Sequence, residues 1–535
     1  SCAASSCHAG PRPGVAQPWV RRGAAYQLWM ENDPHAQSWR TICSDESVAM
    51  MRRLKILDGG HEIIDRTGFD NCLACHNTTA RFDEPRSPAV IREGVGCAAC
   101  HGPSERWIND HFQYHWSPRS ARQDGFVNAG DLYTRARMCA SCHVGDKDRD
   151  MNHDIIAAGH PTLRYELATY HAWQPKHWRD HESNDKTAYE AQLWLAGQIA
   201  ATDASLSLLH ARANNAHTVS EWPEFAAYNC ASCHHNLGLD NDREPIDSNR
   251  KATAIYSHWN DSGLRWLIEY RKQTGQATHQ DVELEDALQA VKRLMQTTPR
   301  PDAAAVAAAT RHARQRLANW FDSDTGKRER ATFRSDRLGR VVAAAAGSQN
   351  TFATWESSVQ FYLAAVAARE SWPGGWHGPL SNVADQIQSG LQYPEMIDVS
   401  RYAKRTTATG PPASRGDIEI LAVQLAESLG EVTRSPSPDT GPDDGELESR
   451  LQELLERVRQ RTPLKPQPDE AETQPGEPSQ RDAREPENAD KIRRESIDDI
   501  RRAIEALQSG RDQTDPTQPE QPQTQPEQPQ DRDQP

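Results

Sequence analysis

The feature that most constrains this chain is a pentapeptide that recurs four times, with two cysteines separated by two residues and a histidine directly after the second. The copies are Cys72–His76, Cys97–His101, Cys139–His143 and Cys230–His234. Two thiols at this spacing can each form a thioether bond to one porphyrin, and the histidine that follows can reach the iron. Zinc sites also pair cysteines, but they do not require a histidine after each pair. We therefore expect a covalently attached haem c at all four copies.

An expanded fifth motif opens the chain, where four residues separate Cys2 from Cys7 and His8 follows. Because the backbone can loop outward between two thioether bonds, this segment predicts a fifth haem. The alternatives are that only Cys7 is attached or that Cys2 does not react. The predicted attachment cysteines are therefore Cys2, Cys7, Cys72, Cys75, Cys97, Cys100, Cys139, Cys142, Cys230 and Cys233, and the predicted proximal iron ligands are His8, His76, His101, His143 and His234.

The eleventh cysteine, Cys43, lies outside the motifs. We expect it to be a small buried apolar side chain, with a reactive thiol or an intermolecular disulfide as the alternative. Cysteine usage thus indicates haem attachment, which takes place outside the cytoplasm. The chain begins inside a motif without a signal peptide, so we expect a processed form that is periplasmic or otherwise exported.

The charge of the chain is concentrated at its end. Residues 435–535 hold 25 acidic and 14 basic side chains, whereas the formal charge of the whole chain is −15. An acidic tail on a nearly balanced body argues against nucleic-acid binding. No apolar run approaches the length of a membrane span, so we expect no transmembrane segment.

The pattern of apolar residues predicts a mainly α protein with little regular sheet, divided into three parts. Residues 1–245 form the multihaem module, in which Lys186 to about Ala216 has the periodicity of a long helix. Residues 250–434 are expected to be an all-helical domain. The candidate helices there are Ala252–Gln273, Asp281–Thr297, Asp302–Phe321, Gln349–Ser371, Ser381–Gly390 and Asp417–Gly430.

Residues 435–535 form an acidic linker and tail rich in proline and glutamine, which includes two short amphipathic helices. The apolar stripe of each helix is too narrow for an independent core. These helices could therefore dock the haem module onto a partner or onto a second copy of the chain.

Several residues in the first third of the chain resemble the cytochrome c-554 family of multihaem electron carriers. They are His8, His35, the motif Cys72–His76, the segment Gly94–Pro103 with its Cys-His-Gly-Pro sequence, Asp110 and His111, and the motif Cys139–His143. The resemblance covers roughly residues 1–160. It implies stacked haem pairs, mostly ligated by two histidines, with one five-coordinate iron. This chain differs by its expanded first motif, its added fifth motif and its C-terminal extension.

The resemblance also implies distal ligands, which reach an iron from the face opposite the motif histidine. By this correspondence His111 is the distal ligand of the His8 haem, and His35 is that of the His143 haem. The His76 haem corresponds to the five-coordinate one, although the surplus of histidines in this chain could supply a sixth ligand there.

Two haems then remain without a distal ligand. We expect His153 and His160 to serve them, one at the His101 haem and the other at the added His234 haem, because the family's last distal histidine lies in this region. The reserve candidates are His171, His177, His61 and His115.

These observations predict a multihaem c-type cytochrome that carries electrons along closely spaced haems to redox partner proteins, with no substrate of its own. The alternative is a multihaem oxidoreductase that acts on a small nitrogen or sulfur species at an open His76 iron. The coordination of that iron distinguishes the two hypotheses.

Overall fold

A computed structural model of the protein describes residues 8, 24–60, 62–78, 93–178, 186–216, 222–234, 254–348, 351–372, 379–391, 393 and 415–433. Within these residues the chain is helical, and β structure is limited to isolated bridges such as that between Leu57 and Ile63. The predicted mainly α fold class is confirmed. Cys2, Cys7, His61 and the predicted tail, 435–535, lie outside the described residues.

The motif-bearing half of the chain uses mostly short helices, joined by loops and single 3₁₀ turns. The helices are α1 (Ala25–Asn32), α2 (Ser38–Ile42), α3 (Asp45–Arg53), α4 (Arg66–His76), α5 (Cys97–His101), α6 (Leu132–His143), α7 (His153–Ala157), α8 (Leu167–Trp173) and the long α9 (Lys186–Asn214).

The second half consists of longer helices that pack directly on one another and on α9. They are α10 (Ser262–Gln273), α11 (His279–Thr297), α12 (Ala303–Asp322), α13 (Asp324–Thr332), α14 (Ser335–Ala346), α15 (Trp355–Ser371), α16 (Pro379–Leu391) and α17 (Arg415–Thr433).

Two apolar clusters of very different size stabilise the described fold. The large one runs from Leu132 on α6 through α9 to Leu429 on α17, so it includes residues on both sides of the boundary expected near residue 245. Trp194, Trp320 and Phe361 are fully buried in it. The small cluster joins α2, α3 and α4, with Met51, Phe69 and Leu73 among its members, and it includes Cys43. Cys43 is therefore buried among apolar side chains, as the sequence predicted.

In the part after the fifth motif, several helix boundaries differ from the sequence prediction, and two helices of that part were missed. The first helix after the fifth motif begins at Ser262 rather than Ala252, and α13 and α14 were not predicted. The sequence suggested only a short alanine-rich piece at Val341–Ala346, because alanine gives little apolar contrast along a helix. In the structure those alanines are buried, since α14 packs against α10, α15 and α17 on several sides.

Candidate haem sites

Three of the four standard motifs form the last turn of a helix. Asp65 caps the start of α4 by accepting a hydrogen bond from the Gly68 N–H, and Asp131 caps α6 in the same way at Thr134. Each helix then ends at its motif histidine, and α5 consists of the motif itself. Residues three and four positions apart lie on one helix face, so this local fold presents both thiols and the imidazole to the same side.

The fourth standard motif is held differently. Cys230–Ser232 form a single 3₁₀ turn, and the N–H groups of Cys233 and His234 both donate to the Cys230 carbonyl. This tight turn also brings the cysteines and the histidine of one motif together.

Each of the five motif histidines faces one other histidine. The pairs, with the distances between their ring centroids, are His8–His111 at 6.2 Å, His35–His143 at 6.0 Å, His76–His160 at 6.3 Å, His101–His177 at 6.5 Å and His153–His234 at 6.3 Å. An imidazole nitrogen lies about 2.0–2.1 Å from a metal that it ligates, so two imidazoles on opposite sides of one iron have centroids about 6 Å apart. The five separations therefore fit a six-coordinate haem iron.

The relative orientation of the two rings divides the pairs into two groups. The rings are nearly parallel in His8–His111 and His153–His234, at 20° and 24°. They are nearly perpendicular in His35–His143, His76–His160 and His101–His177, at 85°, 80° and 74°.

Burial keeps the imidazoles of His76, His101 and His143 neutral, as metal ligands must be. Burial first, and then the facing His35, lowers the pKa of His143 to about 3. Burial and then His160 lower the pKa of His76 to about 4. The pKa of His101 falls to about 4 for the same reason, with burial as the larger cause and His177 as the next. Two facing rings at this separation would repel each other if both were charged.

Three distal histidines have their second ring nitrogen fixed by an oxygen acceptor. His111 Nδ1 lies 2.7 Å from the Ile108 carbonyl oxygen, and His160 Nδ1 lies 2.8 Å from that of Pro161. His35 Nδ1 lies 2.8 Å from Asp33 Oδ1. Such contacts set the tautomer in which Nε2 carries the lone pair, and they orient the ring toward the metal.

Contacts between motifs indicate which sites are neighbours. The Cys142 thiol contacts that of Cys75, and this contact together with burial raises the pKa of Cys75. Ser38 Oγ lies between the carbonyl oxygens of His35 and His76, 2.7 and 2.9 Å away. The sites of His76 and His143 are therefore adjacent.

A second adjacent pair consists of the sites of His8 and His101. After burial and His177, the ring of His8 is the next cause that lowers the pKa of His101.

The backbone beside His101 turns sharply at Gly102, whose φ is +80°. A Cβ at this position would lie 2.1 Å from the Gly125 carbonyl oxygen. This close approach accounts for the glycine of the Cys-His-Gly-Pro segment.

The histidine pairs agree only partly with the expected distal ligands. His111 lies opposite His8 and His35 lies opposite His143, which are the pairs implied by the family resemblance. His153 lies opposite His234. His160, however, lies opposite His76 rather than His101.

The ring opposite His101 is that of His177, which the sequence suggested only as a reserve. The other reserve with a defined environment, His171, is buried and its Nε2 contacts Arg135 and Tyr189, so it is held within the protein. His115 is exposed.

A comparison with known families matches the first part of the chain. The family model described as cytochrome c554 and c-prime matches residues 2–102. Over this segment the chain is similar to the cytochrome c554 family. The match spans the expanded motif and the motifs ending at His76 and His101, and the other two motifs lie beyond it. No curated protein and no solved structure matches the chain.

Proteins of this family carry covalently bound haem c and transfer electrons, so the similarity suggests both properties for this chain. The paired thiols of the four standard motifs, and the facing imidazole at the separation an iron requires, fit that cofactor. Among the described helices, none combines the length and the apolar character needed to span a membrane.

Proposed function

We propose that this protein is a five-haem c-type cytochrome that transfers electrons, with each iron held between two histidines. The observation that carries the proposal is the set of five histidine pairs, whose ring centroids all lie 6.0–6.5 Å apart. Haem c supplies an iron that alternates between the ferric and ferrous states. The chain supplies the ligands, the attachment thiols and the packing that keeps neighbouring sites close.

The distal ligands in this proposal are His111, His35, His160, His177 and His153, for the haems of His8, His143, His76, His101 and His234 respectively. An imidazole on both faces leaves no position for a substrate at the metal, which favours electron transfer over catalysis. The contact between Cys75 and Cys142 supports close approach of two haems.

The alternative function, an oxidoreductase acting on a small nitrogen or sulfur species, needs an open iron at His76. His160 lies opposite His76, and its Nδ1 is fixed by the Pro161 carbonyl oxygen, which directs Nε2 toward the facing ring. This arrangement disfavours the alternative.

The helical part that follows the fifth motif acts in this proposal as a scaffold for that motif. Its α15 supplies Glu356, whose Oε1 lies 3.6 Å from Arg164 Nη1, and the Arg164 Nη2 is 4.0 Å from Cys230 Sγ. We also propose export to the periplasm or beyond, electron exchange with redox partner proteins, and docking or self-association through the predicted helices of residues 435–535.

Electron paramagnetic resonance of the oxidised protein tests the coordination directly. We expect five low-spin ferric irons in the wild type. In His160→Ala one of them, at His76, should become high-spin, whereas the exposed control His115→Ala should retain the wild-type spectrum. A high-spin signal in the wild type, or a His160→Ala spectrum without one, would contradict the assignment.

Mass spectrometry of the intact protein tests the number of haems. Five covalently added macrocycles are expected. Four would contradict only the haem predicted at the expanded opening motif, and fewer than four would contradict the proposal as a whole.

A further inference from the structure

Asp33 is a buried carboxylate that directly contacts a proposed iron ligand. Only 1% of its surface is exposed. Its Oδ1 accepts a hydrogen bond from the His35 backbone N–H at 3.0 Å and lies 2.8 Å from His35 Nδ1. Gln174 Nε2 donates to its Oδ2 at 3.3 Å. The carboxylate is thus fixed by three contacts, two of them with the same histidine.

This contact differs in charge from the corresponding contacts of the other distal histidines. His111 and His160 direct Nδ1 to the neutral carbonyl oxygens of Ile108 and Pro161. Among the described hydrogen bonds of the five distal rings, the one from His35 alone ends on a carboxylate. A hydrogen bond to an ionised acceptor is shorter and roughly twice as strong as one to a neutral acceptor.

Both oxygens of the carboxylate accept hydrogen bonds, Oδ1 from the His35 backbone N–H and Oδ2 from Gln174 Nε2, and such bonds favour its ionised form. A carboxylate that accepts a hydrogen bond from Nδ1–H increases the electron density of the imidazole and raises its basicity as a ligand. A more basic axial ligand stabilises ferric iron relative to ferrous iron.

We infer that Asp33 is a positioning residue for His35, which orients its ring against His143 and holds the iron of that site at a lower reduction potential than a neutral acceptor would. The inference rests on the proposed function, because it takes His35 and His143 as the two ligands of one iron. The ring planes of this pair are 85° apart, the most perpendicular of the five pairs.

Asparagine at this position separates charge from geometry. Its amide oxygen can accept the same two hydrogen bonds from His35, and asparagine caps a helix start about as well as aspartate. Asp33→Asn therefore removes the charge with little change in the backbone. Asp33→Glu keeps the charge, and Asp33→Ala removes both the charge and the acceptor.

The experiment is a potentiometric titration of the full, haem-loaded protein, monitored by optical and paramagnetic resonance spectra. In Asp33→Asn we expect one of the five reduction steps to move to higher potential, with the others displaced less. Asp33→Glu should retain the wild-type value. Asp33→Ala should in addition change the resonance signal of the same iron, because its ring is no longer held.

A matched control is Asp154→Asn, which removes one negative charge beside the distal His153. The described hydrogen bonds include none between the Asp154 carboxylate and that ring, so no step should move comparably. Equal shifts in Asp154→Asn and Asp33→Asn, or unchanged potentials in Asp33→Asn, would overturn the role of Asp33. High-spin iron in the wild type would instead contradict the proposed function, and the two failures are therefore distinguishable.

Discussion

The described residues 24–124 and 262–433 are both helical, but they are stabilised in different ways. The N-terminal part, 24–124, has helices of 5–11 residues and one small apolar cluster around Met51 and Phe69. The C-terminal part, 262–433, has helices of 9–20 residues that share one large apolar core. Each large side chain that is fully buried contributes about 1.5–3 kcal/mol, so we expect the apolar core to stabilise the C-terminal part and the N-terminal part to depend more on its haems.

Because of this difference, we expect the two parts to lose structure separately when a haem or a core contact is removed. Loss of a haem should disorganise the N-terminal part and spare the helices that follow. Loss of a core contact in the C-terminal part should have the converse effect. The predictions below test this separation.

The largest effect is expected from removing one attachment site in the N-terminal part. Cys72→Ser with Cys75→Ser should abolish one haem and expose the surfaces that face it, since the small cluster includes Leu73 and packs against Cys72. Hydrogen–deuterium exchange should show lost protection across residues 24–78 and retained protection in α11, α12 and α14. Cys43→Ala, in the same cluster but outside the motifs, should keep every haem. Equal loss of protection in both parts would contradict the separation.

The next largest effect is expected at a buried ion cluster in the C-terminal part. Asp281 Oδ1 lies 3.0 Å from Arg271 Nε and accepts from Trp320 Nε1 at 2.9 Å, and Glu329 contacts the other side of Arg271 at 2.6 Å. Asp281→Ala removes one of the two carboxylates of buried Arg271 and the acceptor of the Trp320 N–H, and should lower the free energy of unfolding by about 3 kcal/mol. Denaturant unfolding followed by circular dichroism measures this loss, while haem absorbance should change little at low denaturant.

The control for this variant is Glu285→Gln, which breaks the half-exposed ion pair with Lys272. Exposed pairs contribute up to about 1 kcal/mol, so this variant should be nearly neutral. If Asp281→Ala is as mild as Glu285→Gln, the ion cluster does not stabilise the helical part.

A smaller effect is expected from acid. Burial alone would raise the pKa of Asp281, but hydrogen bonds from Thr278, Arg271 and Trp320 hold it below its ordinary value. A carboxyl group with a lowered folded pKa stabilises the fold above its unfolded pKa of about 3.9, and this contribution is lost as the pH falls through the folded pKa. The unfolding free energy of Asp281→Asn should therefore depend less steeply on pH below about 4 than that of the wild type. Parallel pH profiles for the two proteins would refute this.

The smallest effect is a spectroscopic difference that involves no loss of structure. Perpendicular imidazole planes give highly anisotropic low-spin signals, and parallel planes give rhombic ones. The ring angles predict three irons of the first kind and two of the second. Because the helix that ends at His76 belongs to the small cluster and not to the large core, Asp281→Ala should retain the wild-type signal at His76. Five signals of one kind would contradict the ring geometry.

The motif histidine of each predicted site can be located from the sequence alone, whereas the histidine that faces it cannot. A proximal histidine has a fixed position, directly after the second cysteine of its motif, so the motif identifies it without knowledge of the fold. A distal histidine has no fixed spacing, because loops bring it to the iron. His177 lies 76 positions after His101, in a loop beyond α8, and its sequence context of Pro175 and Trp178 was the one available signal.

The helical part shows the same limit in another form. Apolar periodicity located α9 to within two residues and found α11, α12 and α15, whose buried residues include Leu288, Leu317 and Phe361 respectively. It missed α14, whose buried surface is mostly alanine, and α13, whose buried Glu329 is matched by Arg271 and Arg337 rather than by apolar neighbours. Neither feature gives a periodic hydrophobic signal.

The contact between the Cys75 and Cys142 thiols has a consequence for how the protein is made. In an oxidising compartment, two thiols that meet in a folded chain would join as a disulfide. That bond would occupy one sulfur of each of two motifs and block two attachments at once. Attachment of either haem converts one of the two thiols into a thioether and so excludes this disulfide.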